Sequence, residues 1–488
     1  MEAFTSFITS VDGFLGYVLV AVLVPVGLYL TVRTGVVQLR LLPEMFRLIR
    51  EPAGHDADGK KQISPFRAFC ISAASRVGTA NITGVALAIS VGGPGAVFWM
   101  WVTAVVGGAT AFAESALGQL YKVKDGAAFR GGPAYYITKG LNAPAVGALF
   151  AVIVAVVYGI VFNTVQSNSI TDSLAASFGT EASGSGFSII VGLVLAVAAG
   201  IVFVGGVQRI SAIASVIVPV MAVLYLILGI IVVILNIGAI PAMLGTIVTD
   251  ALGFQSIAGA ALGTIMMEGI RRGLFSNEAG IGSVPNAAAT SSASHPAKQG
   301  LVQSLGVYFD TLLVCSITGF IVLLSNPEYG TPQGSQLTQT ALAAQVGEWG
   351  VHFLTSAIFF FAFSSILGNY YYGETNIEYL TRKKGALTVY RLIVVAAVFG
   401  GAVVALDAVW TAANIAMAIM AFINLIAVLL LSPVVLRVLR DYMDQRRAGQ
   451  EPLFHRDRMA DLQGIDAWDG TDEVTQPEFW EKHRNRRS

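Results

Sequence analysis

Charge is scarce in this sequence of 488 residues: Asp, Glu, Lys and Arg make up 12% of it against 55% apolar residues, and the mean hydropathy is +0.69. So low a charge content excludes an ordinary soluble enzyme. Neither sign prevails, because 30 Lys and Arg balance 30 Asp and Glu, which leaves no basic field to attract nucleic acid. Cysteine is nearly absent. Cys70 and Cys315 lie far apart in apolar segments, which gives no disulfide framework and no metal-ligand spacing, so both read as packing residues. Residues 1–13 carry Glu2 and Asp12 but no Lys or Arg, unlike the start of a secretory signal, so the first apolar run is expected to be retained. No phosphate loop, zinc spacing or Ser-His-Asp set stands out, and an enzyme is not expected.

What is abundant is long apolar runs. Residues 14–32 contain no Asp, Glu, Lys, Arg or His, and at about 1.5 Å per residue they can cross a hydrocarbon core of about 30 Å. Eleven spans are predicted, near 14–33, 65–91, 95–120, 145–177, 186–205, 209–236, 257–289, 299–325, 340–379, 387–406 and 409–440. This is the pattern of an all-α polytopic membrane protein. Lys and Arg collect in cytoplasmic loops. With residue 1 outside, every inner connection has a basic residue, from Arg40 and Lys60 through Lys122, Arg209, Lys298 and Arg382, while the five outer connections have none. That alternation places the N-terminus outside a plasma membrane, bacterial or archaeal, and the C-terminus in the cytoplasm. The lipid bilayer is the only environment partner implied, with no obligate protein partner.

Residues 38–52 set Leu39, Leu42, Met45, Phe46 and Ile49 at helical spacing opposite Arg40, Arg47 and Arg50, which predicts an interfacial helix. From about residue 441 both charge signs mix with Gly and Pro around an isolated Trp468 and Trp480, and a flexible cytoplasmic tail is expected, with a regulatory docking segment as the alternative.

Two spans interrupt themselves. The second has apolar halves either side of Ser75-Arg76-Val77-Gly78-Thr79-Ala80-Asn81, and the seventh is broken from about Gly273 to Pro285. A helix in lipid satisfies its own backbone, so such interruptions need a reason. With the first span set aside, spans two to six and seven to eleven form two halves, each opening on a broken helix, and an odd number of spans per half makes them insert upside down relative to each other. Inverted repeats with matching broken helices point to a secondary-transporter site at the bilayer midplane. The domain division expected is 1–63 for the extra helix and loop, 64–236 and 237–440 for the repeats, and 441–488 for the tail. At a break, free N–H groups hold a carboxylate and free C=O groups hold an ammonium or Na⁺, so a zwitterionic amino acid suits it. Gly78 lets the backbone approach a ligand, Thr79 and Ala80 offer N–H groups, and Asn81 offers an amide oxygen. The structural alternative is a glycine kink whose Thr and Asn bond to neighbouring helices.

These residues also carry a resemblance. Gly92-Gly93-Pro94-Gly95-Ala96-Val97-Phe98-Trp99-Met100-Trp101 resembles the signature of the alanine/glycine:cation symporters, the sodium:alanine symporter family of amino-acid carriers. Ser75-Arg76-Val77-Gly78-Thr79, Arg272-Gly273-Leu274-Phe275-Ser276-Asn277-Glu278-Ala279-Gly280 and Tyr371-Tyr372-Gly373-Glu374 match as well, and the likeness spans about residues 10–445. It implies a leucine-transporter-like five-plus-five inverted-repeat fold and Na⁺-driven uptake of a small neutral amino acid, with Na⁺ as coupling ion. It further implies that the substrate meets Gly78, Thr79, Ala80, Asn81, Gln166, Phe275, Asn277 and Ser365, and that Ser75, Gly78, Ser364 and Ser365 surround Na⁺ with hard oxygens. The chain departs from the pattern twice. Ala80 replaces a common Gly, and Asn369 stands where alanine-selective members have Trp, which opens the pocket and adds an amide. Glutamine is therefore expected first, then serine or asparagine; the alternative is that Asn369 repacks against Tyr370 and Tyr371 and alanine remains preferred.

Ionisable groups inside spans are costly and functional by default. Arg76 and Glu278 flank the breaks and are expected to pair with opposite charges, while Asp310 and Glu374 are candidate proton or cation sites, which makes H⁺ coupling the second mechanism. His352 is expected at a surface, and Trp99, Trp101 and Trp410 as interfacial anchors. A channel or amino-acid sensor is the remaining class.

Overall fold

The computed structural model describes residues 2–56, 58–179, 185–254, 261–331, 334–404 and 407–485. The first helix, α1 (Glu2–Arg33), leads into α2 (Val37–Arg40) and α3 (Leu42–Leu48). A broken pair follows, α4 (Pro65–Arg76) and α5 (Thr83–Gly92), then α6 (Gly95–Leu120), the hairpin of β1 (Val123–Asp125) and β2 (Ala128–Arg130), and α7 (Pro133–Gly140). Next come α8 (Pro144–Val156), α9 (Asn163–Phe178), α10 (Gly186–Val204), α11 (Gly206–Leu235) and the short α12 (Ile240–Ala251). The second broken pair is α13 (Leu262–Asn277) and α14 (Val284–Ala289). After it run α15 (Pro296–Val307), α16 (Ser316–Leu323), α17 (Ser335–Val346), α18 (Trp349–Leu380), α19 (Lys384–Val403), α20 (Asp407–Leu430), α21 (Ser432–Arg447) and α22 (Pro477–Asn485).

Among the described residues nine helices are long and apolar enough to cross a membrane. Two of them contain a wider π turn, at Val157–Phe162 between α8 and α9 and at Tyr308–Cys315 between α15 and α16. Such turns cluster at functional sites. Local chemistry sets the helix ends. Ser64 caps α4 by accepting the Arg67 N–H at 3.2 Å, with Pro65 in the first turn where no N–H partner is needed. Gly347, at φ +87°, ends α17, so the run predicted as one span over 340–379 is two helices meeting at that glycine. Exposed apolar side chains such as Leu193, Ile201, Val204, Val223 and Leu392 line the outer faces of α10, α11 and α19. In water that surface would be an association hazard; in lipid it is the ordinary exterior.

Of three further expectations, the structure overturns one, the flexible tail, and adds contacts to the other two. The residue 38–52 segment is docked on protein: Met45 and Leu48 are fully buried, and Glu44 accepts from Arg47 at 2.7 Å and from the Tyr442 hydroxyl at 2.7 Å, while only Leu39 and Phe46 of its apolar set remain exposed. The tail is folded. Trp468 is 1% exposed and donates its indole N–H to the Gln119 carbonyl at 3.0 Å, Phe454 N–H reaches the Ser294 carbonyl at 2.8 Å, and Trp480 covers the Lys298 ammonium at 4.3 Å from its ring centre. Its tryptophans supply enough apolar area to dock a segment whose composition alone reads as solvated. Trp99 and Trp101 turn their N–H groups inward, to the Ala251 carbonyl at 3.1 Å and the Ser316 hydroxyl at 2.8 Å, so hydrogen bonds within the protein fix them. The side chain of Trp410 lies outside the described residues.

Candidate functional site

The first break begins where α4 stops at Arg76 and the chain makes one tight turn, Thr79–Asn81, before α5. Its freed backbone groups face the turn's own Asn81 and two other helices, α9 and α18. The Gly78 N–H donates to Asn81 Oδ1 at 3.0 Å and the Thr79 N–H to Gln166 Oε1 at 3.3 Å. On the carbonyl side, Ser365 of α18 directs its hydroxyl at the carbonyls of Ala74 at 2.8 Å and Val77 at 3.4 Å, with the Phe361 carbonyl at 3.0 Å on its own helix. Four oxygens thus gather around one point at the end of a half-helix. Gly78 makes the approach possible: a Cβ there would stand 2.6 Å from Ser365 Oγ and 2.9 Å from Gln166 Nε2.

The second break lies later than the sequence indicates. Helix α13 stays intact through Gly273 and ends at Asn277, after which Glu278, Gly280 and Gly282 take φ values of +55°, +86° and +86°. Left-handed residues at this density cannot continue a right-handed helix. Asn277 turns its Oδ1 to the Ala279 N–H at 3.0 Å and its amide nitrogen to the Thr311 hydroxyl at 3.2 Å. The Gly280 N–H donates to Glu114 at 3.2 Å, and Asn424 ties the same carboxylate, at 2.7 Å, to the Gly280 carbonyl, at 2.9 Å. Phe275, partly exposed, stands edge-on to Phe162 at 5.6 Å, beside the π turn between α8 and α9.

Side chains join the two breaks. The Asn81 amide nitrogen donates to Asp310 Oδ1 at 2.6 Å and to Ser276 Oγ at 3.0 Å, and Ser276 donates to Asp310 Oδ2 at 2.7 Å. On the other side Ser75 donates to Asn369 Oδ1 at 2.7 Å and lies 3.1 Å from Glu278 Oε1, whose second oxygen accepts from Ser283 at 2.7 Å. Every one of these residues is buried. Of the expected substrate set, Gly78, Thr79, Asn81, Gln166 and Ser365 converge directly, Phe275 and Asn277 come from the facing break, Asn369 adjoins it through Ser75, and Ala80 is half-buried in the turn. Of the expected Na⁺ set, Ser365 faces carbonyls one residue before Ser75 and Gly78, namely those of Ala74 and Val77. Ser364 bonds the Phe361 carbonyl of its own helix at 2.8 Å.

The charges behave differently from expectation. Arg76 has no carboxylate at ion-pair distance among the described residues; its Nη1 donates to the Gln303 carbonyl at 3.3 Å, in a space that a side chain at Gly306 would fill. Its Nε and Nη2 have no hydrogen-bond partner among the described residues. Glu278 is bound by hydroxyls instead of a cation. Glu374 lies 3.6 Å from Arg391 and 3.9 Å from Arg130, so it is not the unpaired carboxylate expected of a proton site. His352 is an exposed surface group bonded to Ser177 at 2.7 Å, as the sequence indicates. Asn424, Ser276 and Thr311 were not singled out from sequence; the signal available was a small polar residue inside an apolar span.

Two broken helices whose backbone polar groups face buried hydroxyls and amides of other helices are an arrangement that membrane transporters use for their binding sites. The profile of the Sodium:alanine symporter family matches residues 1–456, and the chain belongs to that family. It is 48% identical over 472 residues, 96% of this chain and 99% of the other, to the "Amino-acid carrier protein AlsT" of Bacillus subtilis (strain 168). The "Probable sodium/glutamine symporter GlnT" of the same organism is 48% identical over 459 residues, 94% of each chain. The "Sodium/alanine symporter AgcS" of Methanococcus maripaludis is 38% identical over 455 residues, 91% of this chain and 98% of that one. The chain is a cation-coupled amino-acid symporter and not an enzyme.

Proposed function

We propose that the chain couples inward Na⁺ movement to uptake of a small neutral amino acid, glutamine first, by alternating access in a bacterial or archaeal plasma membrane. In this reading the nine continuous spans among the described residues and the two broken helices make eleven crossings, and the placing of Lys and Arg in alternate connections supports an outside N-terminus and an inside C-terminus. Residues 64–236 and 237–440 are the inverted repeats, 1–63 the added helix and loop, and 441–488 a cytoplasmic segment. The single observation that carries the reading is Ser365 Oγ set against the Ala74 and Val77 carbonyls at the first break. Neutral hard oxygens in a dry setting suit a monovalent hard cation. Na⁺ binding there ties α18 to α4, and so links ion occupancy to the relative position of two elements that must move apart in alternating access.

In this reading the substrate carboxylate takes the Gly78, Thr79 and Ala80 N–H groups, displacing the amide oxygens of Asn81 and Gln166, and Phe275 and Asn277 bound the side-chain end. Asn369 has its oxygen committed to Ser75, which leaves its NH₂ as a donor for a side-chain carbonyl such as that of glutamine. A relative named for glutamine at 48% identity supports that order, and one named for alanine supports the alternative. The second reading, H⁺ coupling, is favoured by Asp310, a buried carboxylate joined to both breaks.

The test is uptake of labelled glutamine and alanine into liposomes under an inward Na⁺ gradient, with K⁺ replacement and an H⁺ gradient as controls. Na⁺-dependent uphill glutamine uptake is expected. Alanine preference discards the Asn369 argument, uptake driven by H⁺ alone moves the coupling to Asp310, and downhill flux without accumulation returns the channel reading.

A further inference from the structure

Between the β1–β2 hairpin, the end of α18 and the start of α19 lies a cavity of about 890 Å³ lined by six Lys or Arg side chains and three carboxylates. The carboxylates are already matched. Arg130 meets Asp125 at 2.6 Å and Glu378 as well, and Lys139 meets Asp466 at 2.6 Å. Lys124 is held outside that set by Asp469 at 2.9 Å. Arg382 and Lys383 are left exposed and, among the described residues, without an ion-pair partner. Arg391 is held at the rim: its Nε donates to the Tyr370 hydroxyl at 2.8 Å, Tyr370 is stacked on Phe203 of α10 at 3.8 Å, and Arg391 Nη2 lies 3.6 Å from Glu374, a carboxylate it shares with Arg130, so the unmatched charge is that of Arg382 and Lys383.

Arg391 also lines a second hollow. A groove of about 370 Å³ runs between α10 and α19, walled by exposed Leu193, Val197, Ile201 and Leu392, and Arg391 closes one end of it. Gly200 forms part of its floor, where a Cβ would just touch Val395 at 3.6 Å. An apolar trough on the lipid-facing surface that ends in an arginine, and continues past it into a cavity with surplus positive charge, has the layout of an acyl chain joined to a phosphate. A zwitterionic headgroup would bring its own ammonium against Arg382 and Lys383, so the surplus charge selects a headgroup that is anionic overall.

We propose that this chain binds an anionic glycerophospholipid, one acyl chain in the α10–α19 groove and the phosphate at Arg391, Arg382 and Lys383. The inference is independent of which amino acid or ion is transported. Bound there, the lipid bridges α10, α18 and α19 and holds these helices together in the membrane.

The test is native mass spectrometry of the full chain released from nanodiscs made of equal phosphatidylglycerol and phosphatidylcholine. Retained phosphatidylglycerol is expected in clear excess. In the double variant Arg382→Gln, Lys383→Gln that preference falls roughly 30-fold, from two charges acting near a membrane surface. Gly200→Phe fills the groove and lowers retention of the lipid with all charges kept. Equal retention of both lipids by the wild type, or an unchanged preference in the double variant with an unchanged melting temperature, overturns the proposal. Displacement of the bound lipid by millimolar inorganic phosphate overturns it too, because the cavity is then a site for a soluble anion.

Discussion

Ser365 points its hydroxyl at the main-chain carbonyl of Ala74 at 2.8 Å, across 291 positions of sequence, and so ties α18 to the break after α4. If that hydroxyl is an ion ligand, Ser365→Ala raises the Na⁺ concentration for half-maximal uptake about threefold to tenfold, the worth of one hydrogen-bonding oxygen, and spares uptake at saturating Na⁺. A Na⁺ titration of liposome uptake reads it. An unchanged half-saturation would remove Ser365 from the ion site.

Gly78→Ala places a methyl carbon 2.6 Å from Ser365 Oγ and 2.9 Å from Gln166 Nε2, closer than side chains tolerate. Overpacking of this kind costs about 1–3 kcal/mol. Here it also blocks the backbone from any ligand. Uptake is expected to fall at least about tenfold while the protein still inserts and purifies as a monodisperse species, and size-exclusion chromatography beside the transport assay separates the two effects.

Asn369 and Ser75 share a 2.7 Å hydrogen bond at the edge of the site. Asn369→Trp fills that edge with an indole and removes the amide, so glutamine uptake drops and the ratio of alanine to glutamine uptake rises by about tenfold or more. Competition of labelled alanine by unlabelled glutamine measures it. Glutamine competing equally in both proteins would contradict the assignment.

Trp468 is buried against the end of α6, over the Lys122 ammonium at 4.5 Å. Truncation of a buried tryptophan costs about 3–5 kcal/mol, drawn here from the docking of the tail. Arg456 and Arg458 are already exposed, so Trp468→Ala is expected to act by freeing the backbone around them, and trypsin cleavage there, followed by mass, should run well ahead of the wild type.

His295, at the base of α15, is fully buried, and burial holds its imidazole below the ordinary value near 6.5, against the opposing hydrogen bond that its Nε2–H donates to Asp441 at 3.0 Å. A lowered value means the folded state binds fewer protons than the opened one. Its contribution is therefore complete above about pH 6.5 and declines as pH falls below it. Protease protection of residues 441–485 should weaken over that range, and His295→Gln should flatten the dependence.

The sequence by itself determined where most of the long apolar helices lie, because burial in lipid demands apolar runs of fixed length, and α6 occupies residues 95–120 as the pattern indicates, whereas the run over 340–379 proved to be two helices. It also located both breaks to within a few residues, since Gly78 and the run from Glu278 to Gly282 are local chemistry that no straight helix accepts. Membership in the family was legible too, in the motif at residues 92–101. What only the tertiary structure decided is partnership across distance. That Arg76 rests on a backbone carbonyl, that Glu374 sits between two arginines, and that Ser365 faces the carbonyls of Ala74 and Val77 depend on how α4, α15 and α18 pack. The folded tail belongs with these: its composition reads as solvated, and docking depends on Trp468 and Trp480 finding Lys122 and Lys298 in distant parts of the sequence. Local sequence fixes the solvent a segment prefers and the backbone it can adopt, whereas a hydrogen bond or ion pair between distant residues exists only once packing has brought its two ends together.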